Sequence, residues 1–133
     1  MYMLGQKAAV FDGGRVLILR QSGYNAFGAG RWDLPGGRVK EGEEPHAAIL
    51  RELFEETGMT LTGGDGLVSP MYCHTETGED WVIQVHPFHY DGHTIILSAE
   101  HIEFKWVRID ELDGVAFKHE GTASAVKKLY SDR

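Results

Sequence analysis

Three glutamates, Glu52, Glu55 and Glu56, stand at i, i+3 and i+4 in the run Glu44-Pro45-His46-Ala47-Ala48-Ile49-Leu50-Arg51-Glu52-Leu53-Phe54-Glu55-Glu56-Thr57-Gly58. On a helix those spacings make neighbours, and like charges there repel by roughly 0.2–0.5 kcal/mol per pair. A helix built only for stability would alternate them with Lys or Arg. A hard divalent cation removes the conflict, because carboxylate oxygens are its preferred ligands. Taken alone, the triplet also fits a merely solvated acidic face. Its flanks decide between the two readings.

The helix itself is well marked. Pro45 suits the first helical position, where no N–H is lost. Gly58 suits the left-handed position just past the end. Between them lie thirteen residues. Stepping about 100° per residue puts Ala47, Ile49, Leu50, Leu53 and Phe54 on one half of the wheel. Arg51, Glu52, Glu55 and Glu56 fall on the other, which is expected to face outward.

Extending the pattern both ways gives Gly37, five residues, Glu43, seven residues, Arg51-Glu52-Leu53, one residue, Glu55-Glu56, one residue, Gly58 and Met59. Seven positions are fixed by identity and two by an aliphatic class. At a usage of about 7% per residue type, a chance match in a chain this short is below about one in a million. The pattern spans residues 37–59 and resembles the signature of the Nudix hydrolases, the MutT-like family, with no departure at a specified position. Leu34-Pro35-Gly36 just before it fits as well.

The resemblance implies an α/β fold, an α/β/α sandwich with a mixed β-sheet flanked by helices, formed by one domain over 1–133. It implies hydrolysis of the phosphoanhydride of a nucleoside diphosphate derivative with Mg²⁺, or Mn²⁺ in its place. By motif position, Glu52, Glu55 and Glu56 correspond to metal-binding carboxylates, and the Gly36 carbonyl to a further ligand. Glu43 and Arg51 would pair to hold the loop on the helix, and Gly37 would allow a sharp turn. A further glutamate from a later loop is expected. Glu100 and Glu103 are the candidates, and Glu100, six residues before Trp106, is preferred. Glu52 and Glu100 are both candidates for the general base. The physics of phosphoryl transfer asks for the same parts: neutralised phosphate oxygens and an oriented water.

Substrate contacts are less sharply marked. Arg20, Arg31, Arg38 and Lys40 are the cations before or just inside the signature, and Arg38, directly after the Gly-Gly turn, is preferred for phosphate. Tyr24, Phe27, Trp32, Trp81 and Phe117 are aromatics that could stack on a base, although aromatics in strands more often belong to the core. His74, His86, His89 and His119 lack paired zinc spacing and read as surface or edge residues. In the resembled family, ADP-ribose hydrolases commonly carry a proline about fifteen residues beyond the signature, and dinucleoside polyphosphate hydrolases a tyrosine slightly further on. Pro70 and Tyr72 both come too early. That favours a (d)NTP pyrophosphohydrolase giving NMP and pyrophosphate. A nucleoside diphosphate sugar pyrophosphatase stays open as the alternative. A non-catalytic ligand sensor is disfavoured, since every glutamate of the signature is present.

The rest of the chain must position these groups. Lys7 to Phe11 and Arg15 to Arg20 are β-rich runs around Asp12-Gly13-Gly14, a hairpin signal. Leu67 to His74, Trp81 to Tyr90, Thr94 to Leu97 and Phe104 to Val107 read as further strands. Ile109 to Leu112 reads as a helical turn and Thr122 to Tyr130 as a final helix. Strands, helix, strands, helix predicts a mixed sheet with helices on its faces.

With 133 residues, 42% hydrophobic and 25% charged, the chain can bury a core without disulfides or structural metal. A net charge of −7 does not suit a protein that grips a nucleic acid polymer through its phosphates. A small nucleotide remains compatible, because a divalent cation bridges acid to acid. One cysteine, Cys73, excludes an intrachain disulfide and suits a half-buried strand position in a reducing, cytoplasmic setting. Residues 1–6 show no leader pattern, and no apolar run could span a membrane. A monomer and a homodimer are equally compatible with the sequence.

Overall fold

The computed structural model describes residues 1–22, 30–64, 66–75 and 77–132. Tyr24 and Phe27, named above as stacking candidates, lie outside the described residues.

The hairpin forms as its turn residues demand. β1 (Tyr2–Asp12) and β2 (Arg15–Gln21) pair antiparallel at Phe11–Val16 and Asp12–Arg15. β3 (Trp32–Asp33) pairs with β2, and β4 (Gly36–Arg38) pairs with β1. Helix α1 (Pro45–Thr57) follows. β5 (Ser69–His74) and β6 (Asp80–His89) form a second antiparallel pair, and β6 runs parallel to β1 over ten register positions. β7 (His101–Arg108) lies along β2, and a 3₁₀ turn (Ile109–Gly114) leads toward α2 (Thr122–Ser131). The result is one mixed seven-stranded sheet in the order β3-β2-β1-β6-β5, with β4 and β7 attached to β1 and β2.

Period-two alternation divides the core between the two faces of the sheet. Ala8, Val10, Leu17 and Leu19 pack with Ile49 and Leu53 of α1 and with Phe88. Ala9, Phe11, Val16 and Ile18 pack on the other face with Val126 and Leu129 of α2 and with Leu112. This is the α/β/α sandwich expected from the sequence. No helix among the described residues is long and apolar enough to cross a membrane.

Four expectations are corrected here. The wheel of α1 is rotated from the one drawn on hydrophobicity. Ala47 faces solvent and Phe54 is 56% exposed, whereas Glu56 is only 4% exposed and Thr57 is buried. The helix turns a carboxylate toward the sheet end because the polar cleft described below lies there. Thr94–Leu97 is not a strand. It runs past the end of α1, where Ile96 N–H donates to the Thr57 carbonyl at 2.9 Å and Ser98 N–H to the Glu56 carbonyl at 3.3 Å, meeting acceptors the helix leaves open. His86 is buried in β6 and bridges the Gly64 carbonyl, at 2.7 Å, and the Gln6 side chain. Burial pushes its pKa down. Phe117 is only 8% exposed and packs in the core on the α2 side, so it offers no stacking surface to a base.

Candidate active site

Residues 36–59 form a strand, a loop and a helix wrapped around one arginine. Arg51 donates from Nε to Glu43 Oε2 at 2.7 Å and from an NH2 group to Glu43 Oε1 at 3.0 Å, a two-point grip that ties the loop to α1. The same guanidinium reaches Glu52 at 3.0 Å, Glu55 at 3.2 Å and the Arg38 carbonyl at 3.3 Å. The Arg51 hydrogen bonds, helped by the Lys40 N–H, hold the Glu43 carboxyl down at about 2. Glu43 in turn raises the already high pKa of Arg51. The pair that the resemblance implied is thus the brace of the loop.

Two glycines act differently from one another. Gly36 has φ of +148°, and a Cβ there would meet the Gln6 carbonyl oxygen at 2.0 Å, so only glycine lets β4 lie this close to β1. Gly37 is not in the left-handed region, and the sharp turn assigned to it is a correction. Its missing side chain makes room for the Glu52 carboxylate, which a Cβ would meet at 2.7 Å. Gly58 caps α1 in the left-handed conformation, its N–H donating to the Phe54 carbonyl at 2.9 Å.

Above the Gly36 turn lies a cleft of about 340 Å³. Gly36, Glu56 and Glu100 line it together with Lys7, Asp33, His101 and Lys118, four residues that the sequence reading did not single out. Glu56 Oε1 accepts the Gly36 N–H at 3.1 Å. Burial drives the Glu56 carboxyl up to about 8, against the pull of Lys7 and the Gly36 N–H, and the neighbouring Glu52 charge adds to the rise. Lys7 Nζ lies 2.8 Å from Asp33 Oδ2, with side chains only 12% and 7% exposed. Burial opposes the Lys7 charge, but Asp33 and Glu56 outweigh it and raise its pKa. Burial likewise opposes the Asp33 charge, and Lys7 outweighs it, holding that carboxyl low. The signal that could have found this pair is a lone charge inside each of two short apolar strand segments, at Lys7 and at Asp33.

The other expected residues divide. Glu100 sits at the lip of the cleft, while Glu103 lies on β7 and pairs with Arg20 at 2.8 Å. Arg20 also donates to the Gly30 carbonyl. Arg38 stacks over Trp81 at 5.6 Å and touches Met3 Sδ at 3.5 Å. Neither arginine lines the cleft. Trp32 is covered by Lys105 Nζ at 4.4 Å. Cys73 is half-buried in β5.

Among the described residues no three His, Cys, Asp or Glu side chains are assembled as a ligand set. Arg51 draws Glu52 and Glu55 to itself, and Glu56 turns inward. The donor chemistry nonetheless fits a hard divalent cation. Every candidate donor is an oxygen, and a buried carboxyl beside a second carboxylate is a group whose charge a cation would complete.

Comparison with known proteins points the same way. A family model described as the NUDIX domain matches residues 1–130. A CTP pyrophosphohydrolase of Escherichia coli (strain K12) is 30% identical over 112 residues, covering 84% of this chain and 80% of that protein. An oxidized purine nucleoside triphosphate hydrolase of Mus musculus is 34% identical over 88 residues, covering 65% of this chain and 54% of the relative. Among solved structures, the MutT protein from Methanosarcina mazei Go1 superposes with a TM-score of 0.87 at 28% identity, covering 98% of this chain and 94% of that one.

Proposed function

The chain belongs to the Nudix domain family and is a hydrolase of phosphoanhydrides, and on that premise we propose that it converts (d)NTPs to NMP and pyrophosphate with Mg²⁺. The observation that carries the reading is the buried Glu56, pushed up to about 8, in a polar cleft beside the Arg51-braced helix. The match to two triphosphate hydrolases supports the choice of triphosphate over sugar nucleotide.

Glu52, Glu55, Glu56, Glu100 and the Gly36 carbonyl would hold the cation, with Mn²⁺ as a substitute. When bound, it supplies neutralisation of the phosphate oxygens at which charge develops. The chain's own residues do the rest. Arg51 fixes the helix against the loop, so the carboxylates keep their spacing. Lys7 holds an opposite charge beside Glu56. The attacking water gives up its proton to a carboxylate, either Glu52 on α1 or Glu100 at the cleft, and the variant that loses the acidic limb of the pH–rate profile identifies which.

The test is a substrate panel with Mg²⁺. Equal amounts of NMP and pyrophosphate should appear, with kcat/KM for a preferred triphosphate at least about tenfold above that for ADP-ribose or UDP-sugars. The reverse order, or two monophosphates from a sugar nucleotide as the main products, sinks the reading. So does calorimetry that finds no Mg²⁺ or Mn²⁺ uptake with or without nucleotide.

A further inference from the structure

Lys7 is a charge in a place where burial disfavours one. It stands in β1 between Gln6 and Ala8, both fully buried. Its side chain is only 12% exposed, and it lines the carboxylate cleft. Asp33 and Glu56 keep it charged in spite of the burial. The strand holds it in place. β1 pairs with β4 at Lys7 and Gly36, and the Ala8 N–H donates to the Pro35 carbonyl at 2.7 Å. A Cβ on Gly36 would meet Lys7 Cα at 2.7 Å, so Lys7 is packed against the residue whose carbonyl is a candidate cation ligand.

An ammonium group carries three N–H donors. Among the described residues Nζ has a single hydrogen-bond acceptor, Asp33 Oδ2 at 2.8 Å. The other Asp33 oxygen takes the Leu34 N–H at 2.8 Å. Asp33 thus offsets the charge but fills one donor of the three. A compact, strongly hydrated cation that has lost most of its water is best completed by anionic oxygens. Phosphate oxygens are the anionic acceptors that a nucleotide brings. Glu56, Gly36 and Glu100 of the same cleft are the groups proposed above to meet them through a cation. Arg20 and Arg38, the arginines expected to contact substrate, are engaged with Glu103 and over Trp81.

We propose that Lys7 is a phosphate-binding residue of this site, its ammonium donating to non-bridging oxygens of the substrate's phosphate chain while Asp33 offsets its charge. The proposal rests on the triphosphate reading above and adds to it a contact that lies outside the signature.

Lys7→Met alone would leave Asp33 buried without its partner, so the pair is removed as a unit in Lys7→Met/Asp33→Asn. Replacing both members of a buried ion pair is commonly tolerated. Calorimetric titration with α,β-methylene nucleoside triphosphates in Mg²⁺ reads binding without turnover. The double variant should bind at least about tenfold more weakly than wild type, the size of one lost charge-assisted hydrogen bond. The loss should be the same for a purine and a pyrimidine and should shrink from the triphosphate analogue to the NMP. Mn²⁺ uptake without nucleotide should equal that of wild type. Affinity equal to wild type, a loss that follows the base, or an equal loss of Mn²⁺ uptake overturns the proposal.

A second measurement uses the wild-type protein. The Nζ resonance of Lys7, identified by its absence from Lys7→Arg, should shift when inorganic tripolyphosphate is added with Mg²⁺. It should stay in place when a nucleoside is added. No shift with tripolyphosphate overturns the proposal even if the double variant fails to fold. Each of these failures leaves the hydrolase reading intact. A wild-type protein that neither binds nor hydrolyses any triphosphate sinks the hydrolase reading and this proposal with it.

Discussion

Two of the hollows among the described residues differ in character. The larger, about 750 Å³, lies between the β1–β2 turn, the end of β7 and α2. The smaller, about 340 Å³, is the carboxylate cleft. Around the larger one Arg15 pairs with Asp12 at 2.9 Å, Arg108 with Asp110 at 2.7 Å and Lys127 with Asp113 at 2.7 Å, and every one of these side chains is at least 39% exposed. Such pairs are neutralised and bathed in water, and each contributes little. In the smaller cleft the charges are desolvated: Lys7 and Asp33 are nearly sealed, and Glu56 is held protonated up to about 8. Chemistry needs groups whose charge the protein controls, so desolvation rather than volume marks the candidate site.

The contrast breaks most sharply at Glu56. Glu56→Gln should lower kcat by at least about 10²-fold, since it removes a charge-stabilising group from a desolvated site. The same loss is expected of Glu55→Gln. Steady-state assays with the preferred triphosphate check both, and retained turnover in either removes that residue from the metal-holding set.

Next comes the brace. Arg51→Lys keeps a charge but cannot make the two-point contact with Glu43. Activity should fall about 10–100-fold, as when a group that orients metal ligands is lost. Titration with Mn²⁺ should show weaker uptake, and uptake equal to wild type would mean that the brace serves folding alone.

A subtler sign concerns pH. Glu56 ionises near 4.5 when free and near 8 in the fold. Folding therefore favours the proton, and this stabilisation is complete below about pH 4.5 and is lost as pH rises through 8. The metal-free protein should lose melting temperature between pH 5 and 8.5, and Glu56→Gln should flatten that part of the slope. A divalent cation replaces the proton, so metal uptake below pH 8 should release one, measurable by calorimetry in buffers of different ionisation enthalpy. Scans of metal-free wild type and Glu56→Gln with the same slope would count against the buried, protonated Glu56.

The smallest effect belongs to the larger hollow. Arg108→Ala should leave kcat/KM unchanged and stability within about 0.5 kcal/mol, because its partners are exposed. A clear loss of activity there would erase the distinction between the two hollows.

Much of the site was legible because its signals are local. Pro45 and Gly58 marked the ends of α1, since cap chemistry acts within a few residues, and the resemblance to the signature implied the Glu43–Arg51 contact across eight residues. The Asp12-Gly13-Gly14 turn between two β-rich runs likewise announced the hairpin. Besides the strand expected at Thr94–Leu97 and the turn expected at Gly37, what failed were judgements of exposure. Hydrophobicity put Phe54 inside and Glu56 outside, the reverse of what occurs.

The amino-acid order by itself settled the family, the ends of the main helix and the kind of donor atoms on offer. Only the folded chain decided which of them lose water. Lys7 meets Asp33 across 26 residues and His86 meets Gln6 across 80, and Lys118 comes to the cleft from the far side of the 3₁₀ turn. Cap and turn preferences are set by backbone geometry within one stretch. Desolvation depends on everything that packs around a group, and that is settled only when distant strands come together.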